Sequence, residues 1–236
     1  MRLGDIVGQQ AVVSRLGVVL KAYRQLREPL DHILFSGGPG IGKKTFAKVL
    51  ATEIDAELQE ITGSALKDKN LLAFLTNINE GSIQLIEEIH LIPPSVMNQL
   101  IPVMENFSVN MLLGEGINAR TIPMKLKRFT LIGTTTRIDL LDYRIRHRFH
   151  MHERLESYSI DELIRMVTIH AGMLQTIISP EAATEIARRS SKTPQKAIES
   201  LSWVRQYAIG EANTNGIITF SIAEAAMKMA PANLSE

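Results

Sequence analysis

Seven residues early in the chain have the types and spacing of a phosphate-binding loop: Gly37-Gly38-Pro39-Gly40-Ile41-Gly42-Lys43, the pattern G-x-x-x-x-G-K. Glycines allow backbone N–H groups to converge on phosphate oxygens, and a helix that follows directly adds the positive end of its dipole. The lysine of the pattern reaches the β- and γ-phosphates. The spacing therefore predicts a site for ATP or ADP, and the alternative is a glycine-rich turn without a ligand.

Two positions that normally hold Mg²⁺ carry other side chains here. The residue after Lys43 is usually Ser or Thr, whose hydroxyl binds the metal, but it is Lys44, followed by Thr45. At the end of a predicted strand, Glu87 takes the metal-binding place and Glu88 the water-activating one. Since Mg²⁺ demands near-octahedral geometry, the longer glutamate is poorly suited. We hypothesise that the Lys44 ammonium lies near the metal position, pairs with Glu87 and slows hydrolysis. The alternative leaves Lys44 in solvent and gives the metal Thr45 or water.

The elements around these residues alternate between strand and helix. Hydrophobic periodicity and end signals predict helices at 9–27, 43–54, 71–78 and 94–104, and strands at 33–35, 58–62, 83–86 and 129–133. The stretch 107–129, centred on glycines, interrupts this rhythm as a β-hairpin. The pattern predicts an α/β fold with a parallel sheet and helices on both faces.

The last third of the chain has helix signals only. Ser159 and Glu162 form a capping box, Ser179-Pro180 and Thr193-Pro194 are helix starts, and a fourth helix is predicted at 221–229. We therefore predict two domains, a nucleotide-binding domain at 1–154 and a small all-α domain at 155–236.

Composition narrows the function classes. With 26 basic and 25 acidic residues, the net charge of +1 provides no global attraction to nucleic acid or to an anionic membrane. The absence of cysteine excludes disulfides and thiolate metal sites. Neither a long apolar run nor a signal-peptide core is visible, so we expect a cytoplasmic protein that does not enter a membrane.

Motifs along nearly the whole chain resemble the RuvB family of AAA+ ATPases. They comprise, besides the glycine-rich loop, Val7-Gly8-Gln9, Leu30-Asp31-His32, Glu88-Ile89-His90, Met104-Glu105-Asn106-Phe107, Gly114-Glu115-Gly116, Ala119-Arg120, Phe129-Thr130-Leu131-Ile132-Gly133, Thr135-Thr136-Arg137, Arg146-His147-Arg148-Phe149, Arg188-Arg189-Ser190 and Thr193-Pro194.

That resemblance implies a RecA-like (AAA+) large domain and a helical lid with ATP between them, assembled into a hexameric ring. Ile6 and Val7 would lie near the adenine, and Thr135 or Thr136 would be the polar sensor. Arg148 would be the arginine finger supplied to the neighbouring subunit. The alternative for Arg148 is an ordinary surface salt bridge in a group with Arg144 and Arg146.

The hairpin at 107–129 resembles the family's docking element for the partner RuvA. Leu112, Leu113 and Ile117 are the candidate apolar contacts, and packing against the parent domain is the competing interpretation. The family's lid carries an arginine directly after Thr-Pro, whereas Gln195 stands here. The family also continues into a DNA-gripping winged-helix domain, which this sequence does not include, so we expect any DNA contact to be weak or indirect.

Three functional hypotheses follow. Lys43, Glu88 and Arg148 favour an ATP-hydrolysing motor subunit of Holliday junction branch migration in DNA recombination and repair. Lys44, Glu87 and Gln195 favour a non-hydrolysing relative that binds nucleotide, or only the partner of the hairpin. It would serve as a structural or regulatory ring component or as a partner-binding protein. A different AAA+ role, such as clamp loading, shares the fold but has no support in the hairpin.

Overall fold

A five-stranded parallel sheet forms the centre of the first of two compact units. The structure is a computed structural model and describes residues 1–113, 120–212, 214, 216–231 and 234. In chain order its elements are α1 (Gln10–Leu26), β1 (Ile33–Ser36), α2 (Lys43–Ile54), β2 (Leu58–Thr62), α3 (Asp68–Thr76), β3 (Ile83–Glu87), α4 (Pro94–Asn106), β4 (Ser108–Leu113), β5 (Arg120–Lys125), β6 (Thr130–Thr135), α5 (Tyr143–Arg146) and β7 (Met151–Arg154). The predicted α/β fold is confirmed.

The strand order β2-β3-β6-β1-β7 places β1 between two strands that come much later in the sequence. Ile33 of β1 pairs with Ile132 of β6 on one side and with Met151 of β7 on the other. The chain leaves β1 for the distant edge strand β2, so the order of strands reverses beside β1. Ligands of open parallel sheets bind at the carboxyl end of such a switch point, where the glycine-rich loop begins.

Close packing against the sheet explains why its strands contain long runs of buried residues. All six residues of β6 and four of the five in β3 are buried, as expected for strands covered on both faces. Phe35 stacks on Phe46 of α2 with ring centroids 5.5 Å apart. Gly133 leaves room for its neighbours, because a Cβ there would lie 2.9 Å from Phe149 Cζ. These contacts fix β1 and β6, which carry the loop and the threonines of the site.

The predicted hairpin consists of the antiparallel strands β4 and β5, paired from Ser108 with Lys125 to Leu113 with Arg120. Val109 is buried and Met124 packs against the main core, so part of the hairpin is joined to the parent unit. Ile122 is 47% exposed. Ile117 and the glycines of the tip lie outside the described residues, as do the side chains of Leu112 and Leu113.

Strand β7 is absent from the sequence prediction. Three of its four residues, His152, Glu153 and Arg154, are polar. The segment therefore lacks the alternation of apolar and polar residues by which a strand is predicted from sequence. Backbone pairing with β1 places Glu153 inward at 1% exposure. Two hydrogen bonds of 2.7 and 2.5 Å from Arg15 of α1 satisfy that carboxylate. An ion pair between buried Glu153 and exposed Arg15 thus replaces the apolar contact that sequence patterns detect.

The second unit is helical and contains α6 (Ile160–Met173), α7 (Pro180–Arg188), α8 (Pro194–Gly210) and α9 (Phe220–Lys228). Two remote segments, Ile6–Gln10 and Gly38–Gly42, group with it. The capping box of Ser159 and Glu162 is present, which confirms that prediction. Buried alanines recur in its core and allow close helix packing. In the part of the chain that the structure describes, no helix is both long and apolar enough to cross a membrane.

Candidate phosphate and carboxylate site

The glycine-rich loop lies between the end of β1 and the start of α2, as the motif requires. Gly37, Gly40 and Gly42 have φ values of 141, 70 and 98°, a region that side chains disfavour. The Gly37 amide donates to the Thr135 carbonyl at 3.2 Å, which ties the loop to β6. Lys43 is 7% exposed, and its ammonium donates to the Gly37 carbonyl at 2.8 Å. This backbone and lysine have the form that cradles a phosphate chain.

The ammonium group of Lys43 is poorly solvated. Burial lowers the pKa of its ammonium, while the negative charge of Glu88 acts in the opposite direction. A cation that has already lost most of its water interacts more strongly with an arriving anion. Lys43 is therefore suited to a phosphate group.

Gln195, at the start of α8, lies on the glycine-rich loop within the helical unit. Its backbone N–H donates to the Gly40 carbonyl at 3.2 Å. A Cβ on Gly40 would lie 3.0 Å from both Cβ and Oε1 of Gln195, so the approach needs glycine. The side-chain amide donates to Glu199 Oε1 at 2.8 Å and carries no charge. The structure thus brings Gln195 to the loop as a neutral hydrogen-bonding group.

Tyr158 contacts the same loop from the segment before α6. Its hydroxyl donates to the Ile41 carbonyl at 3.3 Å, and burial raises the pKa of this phenol to about 12. Ile6 and Val7, the residues assigned to the adenine, are buried in this unit. Loop residues Gly38 and Pro39 are exposed.

The Lys44 ammonium is bound between two carboxylates rather than directed into open solvent. Its Nζ lies 2.6 Å from Glu60 Oε2 and 2.9 Å from Glu87 Oε1. The hydrogen bonds to Glu60 and then to Glu87 raise the pKa of Lys44, and the bond from Lys44 lowers the pKa of Glu60. Lys48 reaches the other oxygen of Glu60 at 3.4 Å. The expected Lys44–Glu87 pair is present, whereas the hydroxyl-bearing Thr45 is exposed.

Glu88 follows β3 and is held by the end of β6. One carboxylate oxygen accepts hydrogen bonds from the Thr136 amide at 2.9 Å and from its hydroxyl at 2.7 Å. The Thr135 hydroxyl instead contacts His90 Nδ1 at 2.9 Å, and that nitrogen is 3.4 Å from the same Glu88 oxygen. Both candidate sensor threonines therefore belong to one polar network with Glu88. Thr136 is the one that touches its carboxylate.

Sequence reasoning did not assign Glu60, His90 or Gly63 to this site. Glu60 was only part of a predicted strand, although β2 pairs in parallel with β3 and so brings its carboxyl end beside Glu87. His90 contacts Glu88 and Thr135. Gly63 donates its amide to the Glu87 carbonyl at 2.6 Å, and a Cβ there would lie 2.5 Å from the Glu88 carbonyl oxygen. Knowing the strand order would have identified Glu60. The close approach at Gly63 has no signal in a single sequence.

Arg148 lies apart from these groups. Its guanidinium pairs with Glu105 Oε1 at 2.5 Å. Arg148 also lines a pocket with Leu30, His32 and Phe129, three residues that directly precede β1 and β6 in the chain. Arg144 pairs with Asp142. Within one chain, Arg148 is thus at the opposite end of the sheet from Lys43. Its role stays a prediction.

Comparisons with known proteins agree on one family. Residues 1–155 match the model described as Holliday junction DNA helicase RuvB P-loop domain, and residues 158–232 match the RuvB AAA lid domain. The Holliday junction branch migration complex subunit RuvB of Rhodopirellula baltica is 42% identical over 229 residues, which are 97% of this chain and 62% of that protein. This chain therefore spans about three fifths of the length of that relative.

Solved structures give the same result. The Thermotoga maritima RuvB Holliday junction branch migration motor is 30% identical, with a TM-score of 0.85, over 97% of this chain and 71% of that one. A single-residue variant of the same protein reaches a TM-score of 0.87 at the same identity, with 72% of its chain covered.

Proposed function

Because this chain belongs to the RuvB family, we propose that it is an ATP-binding subunit acting in Holliday junction branch migration during DNA recombination and repair. The observation that carries this proposal is the loop of residues 37–43, in which a desolvated Lys43 ammonium faces glycine backbone at the switch point of the sheet. Such a site binds the phosphates of ATP or ADP.

We further propose that the hydrolysis of ATP by this subunit is impaired. The fold family implies Mg²⁺, but the donor set does not suit that ion: the Glu87 carboxylate that would bind it already accepts an ammonium, and a lysine replaces the hydroxyl residue. Gln195 brings no positive charge to the loop. Phosphoryl transfer depends on positive charge to neutralise the developing negative charge, so turnover should be slow.

A second candidate function is a non-hydrolysing structural or regulatory ring component. The double carboxylate contact of Lys44 favours it, since two ion pairs hold the ammonium on the carboxylate that would otherwise bind the metal. Retention of Glu88 and its contacts with Thr136 favours residual hydrolysis, with Glu88 as the water-activating group. Turnover distinguishes the two candidates, since the first hydrolyses ATP slowly and the second does not hydrolyse it.

Assembly into a hexameric ring is part of the proposal. Arg148 would then leave Glu105 and act on the nucleotide of the next subunit as an arginine finger, with Thr135 or Thr136 as sensor of the bound phosphate. The division into a large domain at 1–154 and a lid at 155–236, like the cytoplasmic location, stays a prediction.

The hairpin is the proposed docking site for a RuvA-like protein. Val109 and Met124 pack inward, whereas Ile122 on the same hairpin exposes 47% of its surface. An exposed apolar side chain on an inserted element is suited to a protein contact. Ile122 was not among the contacts named from the sequence, and its substitution by aspartate should abolish the association.

Equilibrium binding of a fluorescent ATP analogue tests the proposed function. The wild-type chain should bind it, and Lys43→Ala should weaken binding at least about tenfold, because the buried cation is lost. Lys21→Ala, a lysine on α1 remote in sequence from the loop, is the control and should bind as wild type. If wild type and Lys43→Ala bind equally, or neither binds, the assignment of the loop is wrong.

A further inference from the structure

Lys44 extends from the first turn of α2 to two neighbouring strands. Its Nζ contacts Glu60 of β2 at 2.6 Å and Glu87 of β3 at 2.9 Å. An ammonium has three N–H donors, and these two carboxylates use two of them. Lys44 thus has the donor capacity for one phosphate oxygen while both carboxylates keep it in place.

A magnesium ion and this ammonium would compete for the Glu87 carboxylate. Mg²⁺ binds carboxylate oxygen at about 2.0–2.1 Å with near-octahedral geometry, whereas the ammonium occupies Glu87 Oε1 at hydrogen-bonding distance. Two cations on one carboxylate repel each other, so the ammonium on Glu87 disfavours the entry of Mg²⁺. The neighbouring Thr45, which carries the nearest hydroxyl, is exposed.

From this geometry, and resting on the proposed nucleotide site, we infer that the Lys44 ammonium replaces the divalent cation, so that the site takes nucleoside di- or triphosphate free of metal. Glu60 is the positioning residue, because its contact with Nζ is the shorter of the two and its strand is fixed to β3. The nucleotide is then held by two lysine charges that follow the loop, those of Lys43 and Lys44. Binding becomes independent of Mg²⁺.

The test measures the Kd of fluorescent ATP and ADP analogues for the full chain in excess EDTA and in excess Mg²⁺. Wild type should give values within about threefold of each other in the two buffers. In Lys44→Thr with Glu87→Asp, which supplies a hydroxyl and a shorter carboxylate, Mg²⁺ should tighten binding at least about tenfold. Lys44→Thr alone should bind at least about threefold more weakly than wild type in EDTA.

Lys48→Thr is the matched control, since Lys48 lies on the same helix and contacts Glu60 at 3.4 Å. It should keep the metal-independent pattern of wild type. Glu60→Gln should weaken binding in EDTA, because the ammonium loses the residue that positions it. Thermal unfolding of each variant separates loss of binding from loss of fold, and if the double variant does not fold, Lys44→Thr in EDTA decides.

The outcomes are distinct. Wild-type binding that appears only with Mg²⁺ overturns the inference and leaves the proposed function intact. Equal EDTA affinities for wild type and Lys44→Thr also overturn it. Absence of binding by wild type in both buffers overturns the inference together with the proposed function.

Discussion

A methyl group added at Gly63 should disturb the end of β3 and with it the carboxylate site. The new Cβ would lie 2.5 Å from the carbonyl oxygen of Glu88, and ordinary contact begins at 3.4 Å, so the two segments must separate by 0.9 Å. Overpacking of this kind costs about 1–3 kcal/mol. For a chain of this size each kcal/mol lowers the Tm by roughly 2–4 °C.

The displacement should also reach the site. The Gly63 amide donates to the Glu87 carbonyl at 2.6 Å, so a separation of the segments moves Glu87 relative to Lys44. We therefore expect Gly63→Ala to lower both the Tm and the affinity for nucleotide. Circular dichroism during heating and fluorescent nucleotide titration measure the two effects on the same preparation.

Gly17→Ala is the matched control for this prediction. Gly17 lies in α1, and a Cβ there meets nothing within 4 Å. Alanine is the better helix former by about 0.5–1 kcal/mol, so this variant should be slightly more stable than wild type. Gly63→Ala with the Tm of Gly17→Ala and unchanged affinity would refute the close approach of Gly63 to Glu88.

Two further predictions concern stability. Burial lowers the pKa of His32 from its ordinary 6.5, so as the pH falls below 6.5 the unfolded chain binds a proton that the native chain refuses. This group alone should lower the free energy of unfolding, measured in urea, by up to about 1.4 kcal/mol per pH unit. The difference in that free energy between wild type and His32→Gln should therefore become smaller at low pH. A difference that stays constant would show that His32 titrates normally. Ser159→Ala removes the hydroxyl that caps α6 and should cost about 1 kcal/mol, seen as a lower Tm, whereas Ser202→Ala within α8 should change it less. Equal Tm changes in those two variants would count against the cap.

Much of the fold was predictable because local signals and tertiary contacts agree. The predicted α2 and β2 have the observed bounds, and prolines or hydroxyl caps mark the starts of α4, α7 and α8. Strand β7 escaped detection because its stability comes from pairing with β1 and from the Arg15–Glu153 ion pair, both far apart in sequence. Hydrophobic periodicity carries no information about either.

Site residues that belong to one sequence motif could be predicted. Site residues that are brought together only by the pairing of separate strands could not. The motif identified Lys43, and its unusual neighbour Lys44 indicated the pair with Glu87 that the structure contains. Glu60 completes that cluster only through the parallel register of β2 with β3. The contact of Thr136 with Glu88 depends likewise on β6 lying beside β3.

Steady-state ATP hydrolysis in the presence of Mg²⁺, compared between wild type and the double variant Lys44→Thr with Glu87→Asp, tests the impaired turnover most directly. Lys43→Ala supplies the background rate for both. We predict that wild type hydrolyses ATP near background and that the double variant is at least about tenfold faster, because the metal position is restored. Wild-type turnover well above background that the double change does not increase would contradict the impairment and identify an intact motor subunit.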